Sequence, residues 1–235
     1  MKSGIHGNNE QAEGPTSVWL WNTETGKEIH ELQGHEGTVQ AVGFSNDSGY
    51  IISADRRGAR VWKSASGEEV IRFEESGHIQ RVHFLPGDKE VLLASSQRAG
   101  IWSLATGVMR TRLSVRGPSN DIRHCAISPN GKLVACLTDS KNAYLCSRDT
   151  GESVRELHGH QSKVTAIAFH PSNGQIATAS EDKTVKVWDA ASGELIKTLT
   201  GHTQTVTSVA FSPDGHWLGS TSRDFTARLW PVQAF

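Results

Sequence analysis

The sequence has no surplus of positive charge, no long apolar run, and few cysteines or tyrosines. Twenty-four Lys and Arg stand against 25 Asp and Glu, a formal net charge of −1. A general nucleic-acid or membrane-surface binder needs a basic surplus, so neither partner is expected. No run approaches the roughly 18 apolar residues of a membrane-spanning helix. The opening MKSGIHGNNEQAEGPTS has no apolar stretch and does not read as a secretory signal. Cys125, Cys136 and Cys146 are odd in number and too few for a disulfide framework. A reducing, cytoplasmic compartment is the expectation.

Glycine and tryptophan are what the chain does have. It holds 23 Gly and 7 Trp against 2 Tyr, within 235 residues. Many glycines between short apolar runs mark a β protein rich in turns. The length suffices for one sizeable core or two small ones.

The pattern repeats. Gly34-His35, Gly77-His78, Gly159-His160 and Gly201-His202 recur, with Gly117-Pro118 in the third place, at steps of 43, 40, 42 and 42 residues. Trp21, Trp62, Trp102, Trp188 and Trp230 keep the same period, and Cys146 stands where one Trp is missing. After each Trp strand comes a short turn, NTETGK, KSASGE, SLATGV, SRDTGE or DAASGE, in which Ser or Thr precedes Gly. That Gly supplies the positive φ of a tight turn. A further turn follows the first strand of each unit: SNDSG, LPGD, SPNG, PSNG or SPDG.

Each period therefore holds four short strands, here named a to d in chain order. In the fourth complete unit they are VTAIAF, QIATAS, TVKVWD and ELIKTLT. A four-stranded antiparallel sheet of this kind cannot bury both faces alone, so neighbours stack face to face, and radial stacking makes a β-propeller.

Period, Gly-His, the Asp of the b–c turn and Trp fall in the order of the WD40 repeat, which the chain resembles from about Ser17 to Trp230. The resemblance implies an all-β β-propeller of WD40 type, with five complete-looking Gly-His…Trp units plus a partial N-terminal blade. Residues 1–16 read as a polar loop or flexible N-terminal segment, and 17–235 as the propeller. It also implies a hydrogen-bonded tetrad in each well-formed blade. The b–c Asp holds the Gly-His imidazole, the imidazole meets a strand-b hydroxyl, and the hydroxyl meets the Trp N–H, which needs a partner once buried. The matching residues are His160, Ser180, Asp182 and Trp188, then His202, Ser222, Asp224 and Trp230. A third set is His35, Ser53, Asp55 and Trp62, where the b–c turn counts as one residue longer. Such His–Ser–Asp sets also describe a hydrolase triad, but an enzyme needs one such site, not three.

Two units break the pattern. The second keeps His78 and Trp102, but its turn SSQRAG has no Asp; the third has Pro118 for His and Cys146 for Trp. Their strands a differ too. Ordinary units read VQAVGF, VTAIAF and VTSVAF, small at the third and fifth positions, whereas the odd ones read IQRVHF and IRHCAI. This puts Arg81, His83 and His124 on the channel face, with Arg123 pointing away. They are either a polar patch that binds a ligand or drift in degenerate repeats. The carboxylate pairs of acid–base catalysis are absent, with only Asp121 near by. The three cysteines lack Cys-x-x-Cys spacing and read as small buried side chains rather than a metal site.

Arginines recur in the b–c turns: Arg56 and Arg57, Arg98, and Arg223. They are candidate partner-binding residues for carboxylate or phosphate groups; exposed turns also take charged residues for solubility alone. At the ends, TARLWPVQAF stops after a strand c, while SVWLWN and KEIHELQ read as strands c and d with no strand a before them. The first blade thus lacks its inner strand and the last its outer one, unless the strand near Ile29 closes the last blade. The expectation is a fragment of a six- or seven-bladed ring. The function expected is a non-catalytic protein–protein interaction scaffold without cofactor or metal, binding a protein or peptide partner that is acidic or phosphorylated. The alternative is a ligand-binding or enzymatic propeller that uses the channel patch.

Overall fold

The computed structural model describes residues 16–75, 79–95, 98–115, 122–172 and 174–232. Twenty-one strands occupy them. The expected polar segment over residues 1–16 lies outside them except for Thr16, and His78, Pro118 and Asp121 lie outside them too.

The strands form six antiparallel sheets in chain order. β1 (Val18–Trp21) and β2 (Glu28–Leu32) form a two-stranded sheet. Next come β3 (Ala41–Phe44), β4 (Tyr50–Ala54), β5 (Gly58–Lys63) and β6 (Glu69–Glu74). The third sheet holds β7 (Ile79–Phe84), β8 (Glu90–Ser95), β9 (Ala99–Ser103) and β10 (Met109–Leu113). The fourth holds β11 (His124–Ile127), β12 (Leu133–Leu137), β13 (Ala143–Ser147) and β14 (Ser153–Leu157). The fifth holds β15 (Val164–Phe169), β16 (Gln175–Ser180), β17 (Val185–Asp189) and β18 (Leu195–Leu199). The last is three-stranded: β19 (Val206–Phe211), β20 (Trp217–Ser222) and β21 (Ala227–Pro231). β15 and β16 coincide with VTAIAF and QIATAS. β2 pairs with β1 and, among the described residues, not with the last sheet, in which β21 keeps its place beside β20; the alternative closure, with the strand near Ile29 displaced from its own strand c, is not what the described residues form.

Strand composition follows position. Strands b and c sit mid-sheet between two neighbouring sheets, and β8 and β9 are buried almost throughout. Strand d is an edge: MRTRL and SVREL alternate between half-buried and exposed before a buried Leu. The core lies between blades. Ile52, Val61 and Phe73 of the second sheet pack on Val82, Val91 and Leu93 of the third. Leu92 and Ile101 meet Cys125, Val134 and Tyr144. Leu137 and Leu145 meet Ile167 and Trp188, and Val185 and Val187 meet Val209 and Leu218. Val18, Leu20 and Leu32 cover Ile51 and Trp62. Consecutive inner strands β3, β7, β11, β15 and β19 lie side by side, which is the radial stacking of a propeller.

Turn chemistry holds the period. The c–d turn glycines Gly26, Gly67, Gly107, Gly151 and Gly193 all have φ between 64° and 80°. At Gly151 a Cβ would also lie 2.0 Å from the Arg112 carbonyl oxygen of the preceding blade, so no other residue fits.

Candidate functional site

Three blades carry a closed polar chain from Trp to Asp. In the fifth sheet Trp188 Nε1 donates to Thr178 Oγ1 at 2.8 Å. The same oxygen lies 2.8 Å from His160 Nε2, and His160 Nδ1 lies 2.7 Å from Asp182 Oδ2. With the indole donating to it, the hydroxyl gives its own proton to Nε2, and Nδ1–H donates to the carboxylate. Burial lowers the His160 pKa against the pull of Asp182, which fits this neutral ring. Asp182 is desolvated, yet the Thr184 hydroxyl, the Gln161 N–H and His160 outweigh that and lower its pKa. In the last sheet Trp230 Nε1 and His202 Nε2 both lie 2.9 Å from Ser220 Oγ, and His202 Nδ1 is 2.8 Å from Asp224.

The strand-b hydroxyls of these two sets are therefore Thr178 and Ser220, not Ser180 and Ser222. The b–c register explains the shift. Trp188 pairs with Ile176 and Trp230 with Leu218, so the residue two further on, on the same face, is Thr178 or Ser220. Ser180 and Ser222 instead stitch the turn: their hydroxyls donate to the Ser162 and Gln204 carbonyls and accept from the Asp182 and Asp224 N–H groups.

Around Trp62, Ser53 does take the central place, accepting from Trp62 Nε1 at 2.8 Å and meeting His35 Nε2 at 2.7 Å. Its b–c turn is one residue shorter, not longer: residues 55–58 separate the pair Ala54–Ala59, against 180–184 between Ala179 and Val185. Asp55 spends Oδ1 on the Arg57 and Gly58 N–H groups. His35 Nδ1 is 3.1 Å from Asp55 Oδ2 but poorly aligned with it, so this set is the loosest of the three.

None of these sets can act as a nucleophilic triad. Thr178 and Ser53 are fully buried and Ser220 is 3 % exposed, each under its own Trp. No substrate carbonyl reaches an oxygen so placed.

The other two blades replace the chain. Leu93, two residues on from Val91, the partner of Trp102, takes the hydroxyl position, and Phe73 meets that indole edge-on at 5.9 Å. Buried Glu75 of the d–a loop accepts from Arg98 Nε at 2.5 Å and Nη2 at 2.9 Å, joining loop and turn as His and Asp do elsewhere. In the next blade Cys136 and Cys146 take the hydroxyl and Trp positions, and Cys125 pairs with Cys136 across the a–b ladder. All three thiols are free and buried. Hydrogen bonding to its thiol neighbours, with burial, pushes Cys136 well above the ordinary thiol range. Among the described residues no His, Cys, Asp and Glu cluster has metal-binding geometry.

At this end of the blades the arginines divide. Arg98 is engaged by Glu75, and Arg57 by Glu36. Arg56 and Arg223 have no acidic partner among the described residues. Arg81 and His124 hold equivalent a-strand positions, opposite Ala94 and Leu137, near the b–c turns, and His83 follows on the same face. The positions equivalent to Arg81 are Ala41, Ala166 and Ser208. Burial, then the charges of Arg81 and His83, bring the His124 imidazole down to about 4. Its Nδ1 is buried without a hydrogen-bond partner. Arg123 turns away and pairs with Asp139 at 2.5 Å.

The WD domain, G-beta repeat model matches residues 26–63, 151–189 and 193–231. These are the segments that carry the three tetrads. The chain is 31% identical over 156 residues to the Periodic tryptophan protein 2 homolog of Dictyostelium discoideum, covering 64% of this chain and 17% of that protein. It is 27% identical over 114 residues to Eukaryotic translation initiation factor 3 subunit I of Debaryomyces hansenii, covering 46% and 31%. It is 26% identical over 157 residues to Autophagy-related protein 16 of Arabidopsis thaliana, covering 64% and 30%. The chain thus spans less than a third of the length of each of these relatives. By its repeats, its blades and these likenesses, the chain belongs to the WD40-repeat family of β-propellers.

Proposed function

We propose that the chain is a non-catalytic interaction scaffold whose b–c end, from Arg56 to the channel wall, receives an acidic segment of a partner protein. The observation that carries this reading is the cluster of Arg81, His83 and His124. Adjacent blades place three bases on one face where the other blades have Ala, Gly or Ser, and no acid pairs with them among the described residues. Arg81 is the uncompensated charge that attracts a carboxylate or phosphate; burial lowers the pKa of both His83 and His124, so these imidazoles offer N–H donors rather than charge. Arg56, with no acidic partner of its own, extends the strip onto the turn after β4. Relatives that include an initiation-factor subunit fit a protein-binding role, and three unpaired buried thiols fit a cytoplasmic setting.

Affinity capture from the source cell tests it. Arg56→Glu with Arg81→Glu should lose the partners that wild type retains, with the thermal melt unchanged. Retention of the same partners by the double variant refutes the reading.

A further inference from the structure

The opposite end of the blades carries a second charged site, which the repeat does not call for. Glu90 opens β8 beside the c–d turn and is 6 % exposed. Its Oε1 accepts from Arg110 Nη1 at 2.5 Å. Its Oε2 accepts from Nε and Nη2 of Arg148, which reaches across from the next blade, at 3.0 and 2.5 Å. At the same register the other blades have Tyr50, Leu133, Gln175 and Trp217. The buried carboxylate and its two arginines are therefore particular to this pair of blades.

They form one wall of an open cavity of about 560 Å³, within the size range of small-molecule pockets. Tyr50, Val70, Leu104 and Ala105 give the cavity an apolar wall. Glu90 leaves donors unused: Arg110 Nε and Nη2 and Arg148 Nη1 have no partner among the described residues. The ionic lining is three bases, Lys89, Arg110 and Arg148, against Asp88 and Glu90, a surplus of one positive charge. Asp149 lines an adjoining cavity that shares Glu90, Arg110 and Arg148, and would repel a second negative charge. We infer that this cleft binds a monoanionic carboxylate on an apolar body. Arg110 and Arg148 receive the carboxylate, Glu90 fixes both guanidinium planes, and the apolar wall takes the body. Two sources supply that chemistry: the C-terminus of a peptide ending in a large apolar residue, or a free carboxylic acid.

The test uses calorimetry on the full chain with four probes. These are 3-phenylpropionate, 3-phenylpropionamide, and acetyl-Gly-Gly-Phe with a free or an amidated C-terminus. The acids should bind, and their amides bind at least tenfold more weakly. Arg110→Gln leaves the Arg148–Glu90 pair in place and should weaken acid binding about tenfold or more. Ala105→Trp fills the cleft without touching an ion pair and should abolish binding with the melt unchanged; it decides the question if Arg110→Gln misfolds. Tighter binding of the peptide acid names a C-terminus as the natural occupant, and tighter binding of phenylpropionate names a free acid. The proposal is overturned if neither acid binds at millimolar concentration, if amides bind as well as acids, or if Ala105→Trp binds like wild type.

Discussion

Replacing Thr178 by Val exchanges one hydroxyl for a methyl group of nearly the same volume, at a residue with no exposed surface. The lost oxygen is the acceptor of the Trp188 N–H and the donor to His160 Nε2. Trp188 and His160 are each 1 % exposed, so water does not replace it. Two buried polar atoms lose their partner, each at about 1–3 kcal/mol, so the variant should be about 2–6 kcal/mol less stable. Ser180 is equally buried, but its partners, the Ser162 carbonyl and the Asp182 N–H, belong to half-buried residues that water can reach, so Ser180→Ala should cost only about 1 kcal/mol. Thr178→Ser keeps the hydroxyl and should fall near Ser180→Ala. Urea unfolding, followed by tryptophan fluorescence, ranks the three. In a Trp188→Phe background, which has no N–H to orphan, the cost of Thr178→Val should shrink. If Ser180→Ala costs more than Thr178→Val, the assignment of the central hydroxyl is refuted.

Other consequences follow from the same geometry. The depressed pKa of His124 means the folded state takes up fewer protons than the unfolded one below pH 6.5. Stability is thus full above about pH 6.5 and declines toward pH 4, with about 2 kcal/mol of that decline by pH 5; comparing wild type and His124→Gln at pH 7 and pH 5 isolates this share, and an identical pH dependence rejects it. Gly151→Ala meets both a positive φ and the Arg112 carbonyl and should lower the melting temperature by several degrees, whereas Gly26→Ala, with open space around it, should lower it less. Arg98→Met strands the buried Glu75 carboxylate and should cost about 3 kcal/mol, against about 0.5 kcal/mol for Arg57→Met at the exposed Glu36 pair, both read from urea midpoints. Iodoacetamide should leave Cys125, Cys136 and Cys146 unlabelled in native protein and label them in urea; rapid native labelling would place them elsewhere.

The repeat was legible because its signals are local and recur. Gly, Pro, Asn and Asp fix turns within a few residues of themselves, so the period, the strands of the fifth sheet and the positive φ of the c–d glycines all follow from short windows. Trp and His positions could be counted for the same reason. The strand-b hydroxyl could not. It depends on the register between b and c, and counting from the Asp of a turn gives Ser180, whereas counting two residues on from the partner of Trp gives Thr178. The short turn around Asp55 hid the same offset, and there Ser53 happens to satisfy both counts. The exchange of a tetrad for the Glu75–Arg98 pair was out of reach, because the partners come from different loops. A turn arginine in sequence looks the same whether it faces solvent or a buried acid. Glu90 was missed for a related reason: Arg148 comes from the neighbouring blade, and a lone Glu at a strand start carries no signal. The one available hint was the contrast with Tyr50, Leu133, Gln175 and Trp217 at the same register.

The proposed docking of partners on the basic strip at the b–c end can be read out at single positions. Photo-crosslinking tests it most directly, with the reactive group placed at His83 on the channel wall and, as a control, at Val154, 47 % exposed on edge strand β14. Position 83 should yield a discrete crosslinked polypeptide, which disappears when Arg56→Glu and Arg81→Glu are added, and position 154 should yield none. Crosslinks of equal strength at both positions, or a crosslink at 83 that survives the charge reversal, would contradict it.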